Sequence, residues 1–151
     1  MRSFEPSLTA IPKWLVIAFA AVSLIGFIDA AYLAAKHYLG TPIPCSLLEG
    51  CEVVTSSIYA TIAGIPIALV GTFYYLTLFI ASIAYTDTGR AGIIRMAAYT
   101  TIIGFLVSLL LLYLQLFVIK ALCMYCLISL GTSTILFLLG VVVIKRGSLA
   151  G

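Results

Sequence analysis

Four cysteines in two pairs carry the reactive chemistry of this sequence. Cys123 and Cys126 form a Cys-x-x-Cys motif within IKALCMYCLIS, residues 119–129, and Cys45 and Cys51 enclose the segment CSLLEGC. Thiols at positions i and i+3 of a helix share one face, and the positive end of the helix dipole stabilises a thiolate there. The Cys-x-x-Cys motif is therefore suited to thiol–disulfide exchange.

Membrane-length apolar segments surround this motif. The 151 residues are 64% hydrophobic and 9% charged, with a mean hydropathy of +1.25. Four runs, about 14–38, 65–85, 93–119 and 122–144, reach the roughly 20 residues that a helix needs to cross a bilayer. The predicted fold is all-α, a single integral membrane domain over 1–151 built as a four-transmembrane-helix bundle. The first run stays apolar beyond its faint small-x-small site, which favours a retained span over a cleaved signal peptide.

The distribution of positive residues predicts the orientation of the bundle. Four spans place both termini on one side together with the loop 86–92, and six of the eight Lys and Arg residues lie there. The positive-inside rule assigns that side to the cytoplasm. We therefore expect a multi-pass protein of the cell membrane with the first loop, about 39–64, and all four cysteines at the outer face, where disulfides persist. No basic run indicates binding to nucleic acid.

The two thiol pairs lie at depths that suit different electron carriers. The short third connection holds Cys123 and Cys126 near lipid, where a quinone from the membrane pool is the expected two-electron acceptor. The pair Cys45 and Cys51 lies in a wet loop, where it can exchange with a soluble protein thiol. One alternative is a structural disulfide, and another is a zinc site of four thiolates. The short linker and the lipid-level position argue against zinc, so no metal is expected.

The segment EVVTSSIYATIAG follows Cys51 and predicts a short amphipathic helix at the interface. Its apolar residues at near-helical spacing are Val54, Ile58, Tyr59 and Ile62. Such a helix would cover the mouth of the bundle. The hydroxyls of Ser56, Ser57 and Tyr59 would then be able to donate hydrogen bonds to a quinone carbonyl.

Three further polar residues lie within the apolar runs. Asp29 is ionisable inside the first span, where a charge is costly and indicates function. It either helps to deliver a proton to the reduced quinone or pairs with a polar neighbour near the outer end of its helix. Tyr113 and Gln115 on the third span either line a quinone pocket or anchor the helix at the interface.

Together these features resemble the vitamin K epoxide reductase family, including its bacterial and archaeal disulfide-forming members. The shared elements are a four-helix core, two loop cysteines followed by serine within CEVVTSSIYA, a GIP that opens the second helix and a Cys-x-x-Cys that starts the fourth. The resemblance covers about residues 20–130, and the order and spacing of its motifs make it specific.

The resemblance implies a role for each cysteine. Cys126 would react with the quinone, which would be ubiquinone, menaquinone or a related compound. Cys123 would pair with Cys126 in the resting oxidised site and exchange with Cys51. Cys45 and Cys51 would form a shuttle that oxidises a thioredoxin-like protein. Because no thioredoxin-like domain follows the fourth helix in this sequence, that partner is expected to be a separate protein.

The resemblance also bears on the substrate. Ser57 or Ser56 would help to orient the quinone. Leu130 stands where animal members have a tyrosine, and the chain contains no asparagine. Quinone reduction coupled to disulfide formation is therefore favoured over epoxide reduction. The alternatives are a protein whose main role is to reduce a quinone or quinone epoxide, and a non-enzymatic membrane protein with structural disulfides.

Overall fold

The structure, a computed structural model, describes residues 11–45 and 50–149. Arg2, one of the six positive residues on the side of the termini, and residues 46–49 of the segment CSLLEGC lie outside the described residues. The elements in chain order are α1 (Lys13–Leu39), α2 (Cys51–Thr55), a 3₁₀ turn (Ile58–Ala60), β1 (Thr61–Ile62), β2 (Ile65–Pro66), α3 (Ile67–Thr88), α4 (Ala91–Tyr113) with a π-helical extension (Leu114–Ile119), and α5 (Met124–Leu149). The strands form an antiparallel pair in which Thr61 faces Pro66 and Ile62 faces Ile65.

Within residues 11–45 and 50–149, four helices are long and apolar enough to cross a membrane, as the sequence predicts. They are α1, α3, α4 with its π-helical extension, and the part of α5 from Met124 to Arg146. The second helix begins two residues later than predicted, because Ile65 and Pro66 belong to β2 and Pro66 is the N-terminal cap of α3. The fourth begins at Met124 rather than near residue 122, which leaves Cys123 just ahead of it.

The bundle packs α1 against α3 and α5, and α4 against α5 and α3. Its core contains Phe19, Tyr75 and Leu136, each at most 2% exposed, whereas Phe73 and Leu138 on the outside are about 60% exposed. Apolar side chains therefore face both inward and outward, which is the pattern of helices that lie in lipid.

A buried tyrosine joins α3 to α5 through its hydroxyl group. The Tyr75 hydroxyl lies 3.0 Å from both the carbonyl and the hydroxyl oxygen of Ser129, 2.9 Å from the Thr132 hydroxyl and 2.8 Å from the Ser133 hydroxyl. Gly26 of α1 gives the ring its space, because a Cβ at that position would overlap it. This network fixes the position of α5, whose first turn carries a thiol of the Cys-x-x-Cys motif.

The interfacial segment forms a shorter helix than its apolar spacing predicts. The helix covers Cys51–Thr55, and the chain then passes through the 3₁₀ turn into β1, so that Ile62 lies in a strand. The Ser56 hydroxyl donates to the Glu52 carbonyl, and the Ser57 hydroxyl donates to the Val54 carbonyl. Both bonds cap the end of α2. Gly64, with φ of 82°, then forms the turn between the strands.

Candidate functional site

The loop cysteines form a disulfide at the end of the bundle where α5 begins. Cys45 and Cys51 are bonded, with their Cα atoms 6.2 Å apart. Cys45 is half-buried, whereas Cys51, the first residue of α2, is 0% exposed. Cys45 is therefore the more accessible sulfur of this pair.

The cysteines of the Cys-x-x-Cys motif are free thiols in this structure. Cys123 is fully buried and Cys126 is half-buried. The sequence predicts both cysteines in the first turns of the helix, but Cys123 instead lies at the residue before it. Its carbonyl accepts a hydrogen bond of 3.0 Å from the Leu127 N–H. The predicted i, i+3 relation between the two thiols is unaffected by this shift.

All four cysteines meet in one cluster. Cys51 and Cys123 are its buried centre together with Val54, and Cys45 and Cys126 pack against it. The fold thus brings together two pairs that are more than seventy residues apart in the chain. The buried sulfurs are those of Cys51 and Cys123, and in each pair the other cysteine, Cys45 or Cys126, is more accessible.

The thiol of Cys123 is acidified by its neighbours. A hydrogen bond from the Cys126 thiol lowers the pKa of Cys123 from 9.0 to about 7, and backbone N–H groups of Tyr125 and Cys126 act in the same direction. Burial raises this pKa, but the hydrogen bonds outweigh it. The lowered pKa favours a thiolate at Cys123, and its largest cause is the neighbouring thiol donor.

Two contacts hold the first loop against the Cys-x-x-Cys motif, and the sequence predicts neither of them. The hydroxyl of Tyr125, inside the Cys-x-x-Cys motif, donates to the Pro44 carbonyl at 3.2 Å. Gly50 lies against Leu122 so closely that a Cβ would overlap the Leu122 backbone. Both contacts involve residues directly beside a cysteine, and this adjacency is the only feature of the sequence that could have indicated them. Together the contacts fix the two cysteine pairs relative to each other.

Gln115 holds the connection that leads into the motif. Its side chain is 4% exposed, and its Oε1 accepts a hydrogen bond of 3.0 Å from the Cys123 N–H. Its backbone carbonyl accepts another, of 3.1 Å, from the Ala121 N–H. The chain turns between these residues at Lys120, whose φ is 55°. The π-helical extension of α4 therefore ends in a tight, hydrogen-bonded turn that presents Cys123.

A cavity of about 120 Å³ lies beside this cluster, bounded by α1, α3, α4, α5 and the segment after α2. The polar or ionisable residues that contribute to its wall include Asp29, His37, Ser57, Gln115, Cys126 and Ser129. The rest of the wall is mainly apolar. An apolar cavity with a few polar groups fits a lipid-soluble ring that carries polar substituents.

The cavity includes some of the residues predicted for a quinone pocket and excludes others. Asp29, Ser57 and Tyr59 lie on its wall. Ser56 does not, because it is exposed and its hydroxyl turns back to the Glu52 carbonyl at 2.6 Å.

Tyr113 is also outside the cavity, although Gln115 two residues later lies on its wall. The Tyr113 side chain is 55% exposed, and its ring packs on Phe117 with centroids 5.0 Å apart. Its ring faces outward from α4 and away from this cavity, so of the two alternatives interface anchoring fits this position better.

Asp29 is the acidic group of the cavity wall. It is 8% exposed, and its Oδ2 is buried without a hydrogen-bond partner among the described residues. An unpaired carboxyl oxygen in an apolar wall is costly unless a ligand or a proton satisfies it. Of the two predicted roles, the geometry therefore favours one that involves the contents of the cavity.

Among residues 11–45 and 50–149, no group of three or more His, Cys, Asp and Glu side chains is placed to hold a metal ion. A search of curated proteins finds no match. The model of the vitamin K epoxide reductase family matches residues 17–141, which include all four cysteines, Asp29 and Gln115. The chain belongs to the vitamin K epoxide reductase family, and it is a multi-pass membrane oxidoreductase that acts on thiols.

Proposed function

We propose that the protein oxidises a separate thioredoxin-like protein and passes the two electrons through both cysteine pairs to a quinone. The observation that carries this proposal is the single cluster of four cysteines, in which Cys126 alone lines the cavity. Each electron carrier then has one accessible sulfur, Cys45 for the soluble protein and Cys126 for the quinone.

The first step is an exchange at the loop disulfide. A thiolate of the partner attacks Cys45, forms a mixed disulfide with it and releases Cys51 as a thiolate. The second thiol of the partner then attacks the partner's first sulfur in the mixed disulfide, and this releases Cys45. The partner leaves as a disulfide, and the loop pair has gained two electrons and two protons. The half-buried position of Cys45 supports its role as the attacked sulfur.

The second step transfers the electrons to the Cys-x-x-Cys motif. The Cys51 thiolate attacks Cys123 of the oxidised motif and releases Cys126, and Cys45 then attacks Cys51 to close the loop disulfide and release Cys123. Cys51 and Cys123 are both 0% exposed and belong to one cluster, which shields this exchange from water. The products are a loop disulfide and two free thiols, which is the redox state of the described structure.

In the last step the motif is reoxidised at the cavity. A bound quinone supplies a two-electron acceptor whose two oxygen atoms take up protons on reduction. Cys126 lies at the cavity wall to donate the electron pair, and the Cys123 thiolate attacks the Cys126 sulfur to close the disulfide. Asp29, which lines the cavity, would carry one proton into it. One dithiol is oxidised and one quinone is reduced to the quinol, so electrons and protons balance.

Two hydroxyl residues at the cavity wall would orient the ring. Tyr59 supplies a phenolic hydroxyl that can donate to a carbonyl oxygen. The Ser57 hydroxyl already donates to the Val54 carbonyl at 2.7 Å, so its oxygen is available as an acceptor for a quinol hydroxyl. The two residues would therefore favour opposite redox states of the bound ring.

Reconstitution of the purified protein tests the proposal. The wild type should oxidise reduced thioredoxin only when decylubiquinone or menadione is present, and Cys126→Ser should abolish this activity. Thr100→Val is the matched control, because it removes an exposed hydroxyl of α4 that bonds only within its own helix. Wild-type rates in Cys126→Ser would contradict the route through Cys126. A wild type that is inactive with both quinones would favour structural disulfides.

A further inference from the structure

Gln115 carries the only side-chain amide in the sequence, which has one glutamine and no asparagine. The residue is 4% exposed at the end of a membrane-spanning helix. A side-chain amide has two N–H donors and an oxygen acceptor, and burial in apolar surroundings is costly unless these groups find partners.

The hydrogen bond to Cys123 fixes how this amide is oriented. A backbone N–H can only donate, so the amide atom that lies 3.0 Å from the Cys123 nitrogen must be the oxygen, Oε1. The Nε2 group therefore occupies the other branch of the planar amide. Among the described residues no acceptor bonds to Nε2, and Nε2 is not a fully enclosed atom, so its two N–H groups border open space near the thiol pair.

Gln115 offers a buried donor to this cavity, whereas the donor Tyr59 on the same wall is 41% exposed. Gln115 and Asp29 are its buried polar wall residues among those described, and an ionised Asp29 can only accept. A quinone carbonyl is a neutral acceptor, and a neutral amide can bind it without bringing a charge into the membrane. Cys126 lines the same cavity, so a ring held by Gln115 would lie next to the sulfur that reduces it.

We infer that the Gln115 side chain binds the quinone, donating a hydrogen bond from Nε2 to a carbonyl oxygen while Oε1 holds the Cys123 N–H. The inference rests on the proposed function, since it assigns a substrate-binding residue to the same cavity. One amide then sets the position of both the ring and the motif that reduces it. Gln115 also borders a second, more open hollow with Gly50 and Lys120, where Nε2 would instead meet water.

The single glutamine allows a test on the unmodified protein. Labelling with glutamine that carries ¹⁵N in its side-chain amide gives one resonance, that of Gln115. Decylubiquinone should shift this resonance in a saturable way in a sample that also shows quinone-dependent thioredoxin oxidation. No shift in such an active sample overturns the inference. An inactive wild-type sample would instead contradict the proposed function.

Gln115→Met gives the second readout, because it keeps a similar length and removes the Nε2 donor together with the Oε1 acceptor of the Cys123 N–H. The KM for decylubiquinone should rise about three- to tenfold, the usual effect of losing one hydrogen bond. Thr100→Val should keep the wild-type KM. A Gln115→Met protein with unchanged KM but slower exchange between Cys51 and Cys123 would limit Gln115 to holding Cys123 and overturn the assignment.

Discussion

Gly50 lies directly against the backbone of Leu122, where a Cβ at position 50 would overlap the Leu122 carbonyl oxygen. Gly50 has φ of −88° and ψ of −4°, a conformation open to every L-residue, so space alone requires glycine here. Gly50 precedes Cys51, and Leu122 precedes Cys123. This contact therefore holds Cys51 near Cys123, the two residues whose sulfurs exchange in the proposed function.

Gly50→Ala should slow the exchange between the loop pair and the Cys-x-x-Cys motif. The added methyl group pushes the loop away from the motif, and a displacement of about 1 Å between reacting groups costs up to about a hundredfold in rate. Rapid acid quenching of the reduced loop pair, followed by mass spectrometry, measures this rate. Gly131→Ala is the control, because a Cβ there meets nothing within 4 Å. An exchange rate within twofold of wild type in Gly50→Ala would contradict the spacing role.

The lowered pKa of Cys123 should set the pH dependence of the reduced motif. Because the thiolate is favoured, its population rises with pH through about 7 rather than 9, and motif reactivity should rise with it and then level off. Ultraviolet thiolate absorbance follows the titration while the loop disulfide is intact. Cys126→Ala removes the main donor and should move the midpoint upward, whereas Cys126→Ser keeps a hydroxyl donor. Equal midpoints in these two variants would exclude the Cys126 side chain as the cause.

The Tyr75 hydroxyl should contribute measurably to stability. Tyr75→Phe removes the oxygen that lies within 3.0 Å of hydroxyls on Ser129, Thr132 and Ser133, and leaves buried polar groups with fewer partners. We expect a loss of about 1–3 kcal/mol in the free energy of unfolding. Thermal unfolding in detergent measures the effect as a lower Tm. Tyr99→Phe, at a side chain that is 50% exposed, should leave Tm unchanged, and equal Tm values for both variants would contradict the role of the network.

The four spans follow directly from the sequence because lipid imposes a simple rule. Each helix must satisfy its own backbone and carry about 20 apolar residues, and such runs are visible without knowledge of the partners. The family motifs then indicate the order of the thiol pairs. Asp29 is visible for the same reason, since an ionisable residue stands out in an apolar run.

The contacts that align the site were not predictable in this way. The hydrogen bond from Tyr125 to Pro44 and the approach of Gly50 to Leu122 join segments about seventy to eighty residues apart, and neither leaves a periodic pattern. Tyr113 and Gln115 lie two residues apart, and the sequence leaves a pocket role and an interface role open for both. The structure separates them, because Tyr113 faces outward while Gln115 is buried in the π-helical extension.

Labelling of Cys45 should establish the orientation. With Cys51, Cys123 and Cys126 replaced by serine, a membrane-impermeant maleimide should label Cys45 in intact cells, because the positive-inside rule places the first loop outside. Thr88→Cys in a cysteine-free protein is the control at the opposite end of the bundle, and it should be labelled only after lysis. The reverse pattern would place the termini outside and the cysteines in the cytoplasm.

Asp29→Asn should impair quinone reduction but spare the exchange between the thiol pairs. Asparagine keeps the shape of the side chain but cannot carry a proton, and loss of a positioned acid or base costs roughly a hundredfold or more in rate. Stopped-flow reduction of decylubiquinone by the fully reduced protein measures this step, and acid quenching measures the exchange separately. Asp87→Asn, at an exposed residue near the end of α3, is the matched control. If Asp29→Asn lowers Tm yet reduces the quinone at the wild-type rate, Asp29 is structural. Its buried, unpaired Oδ2 would then need a partner other than the transferred proton.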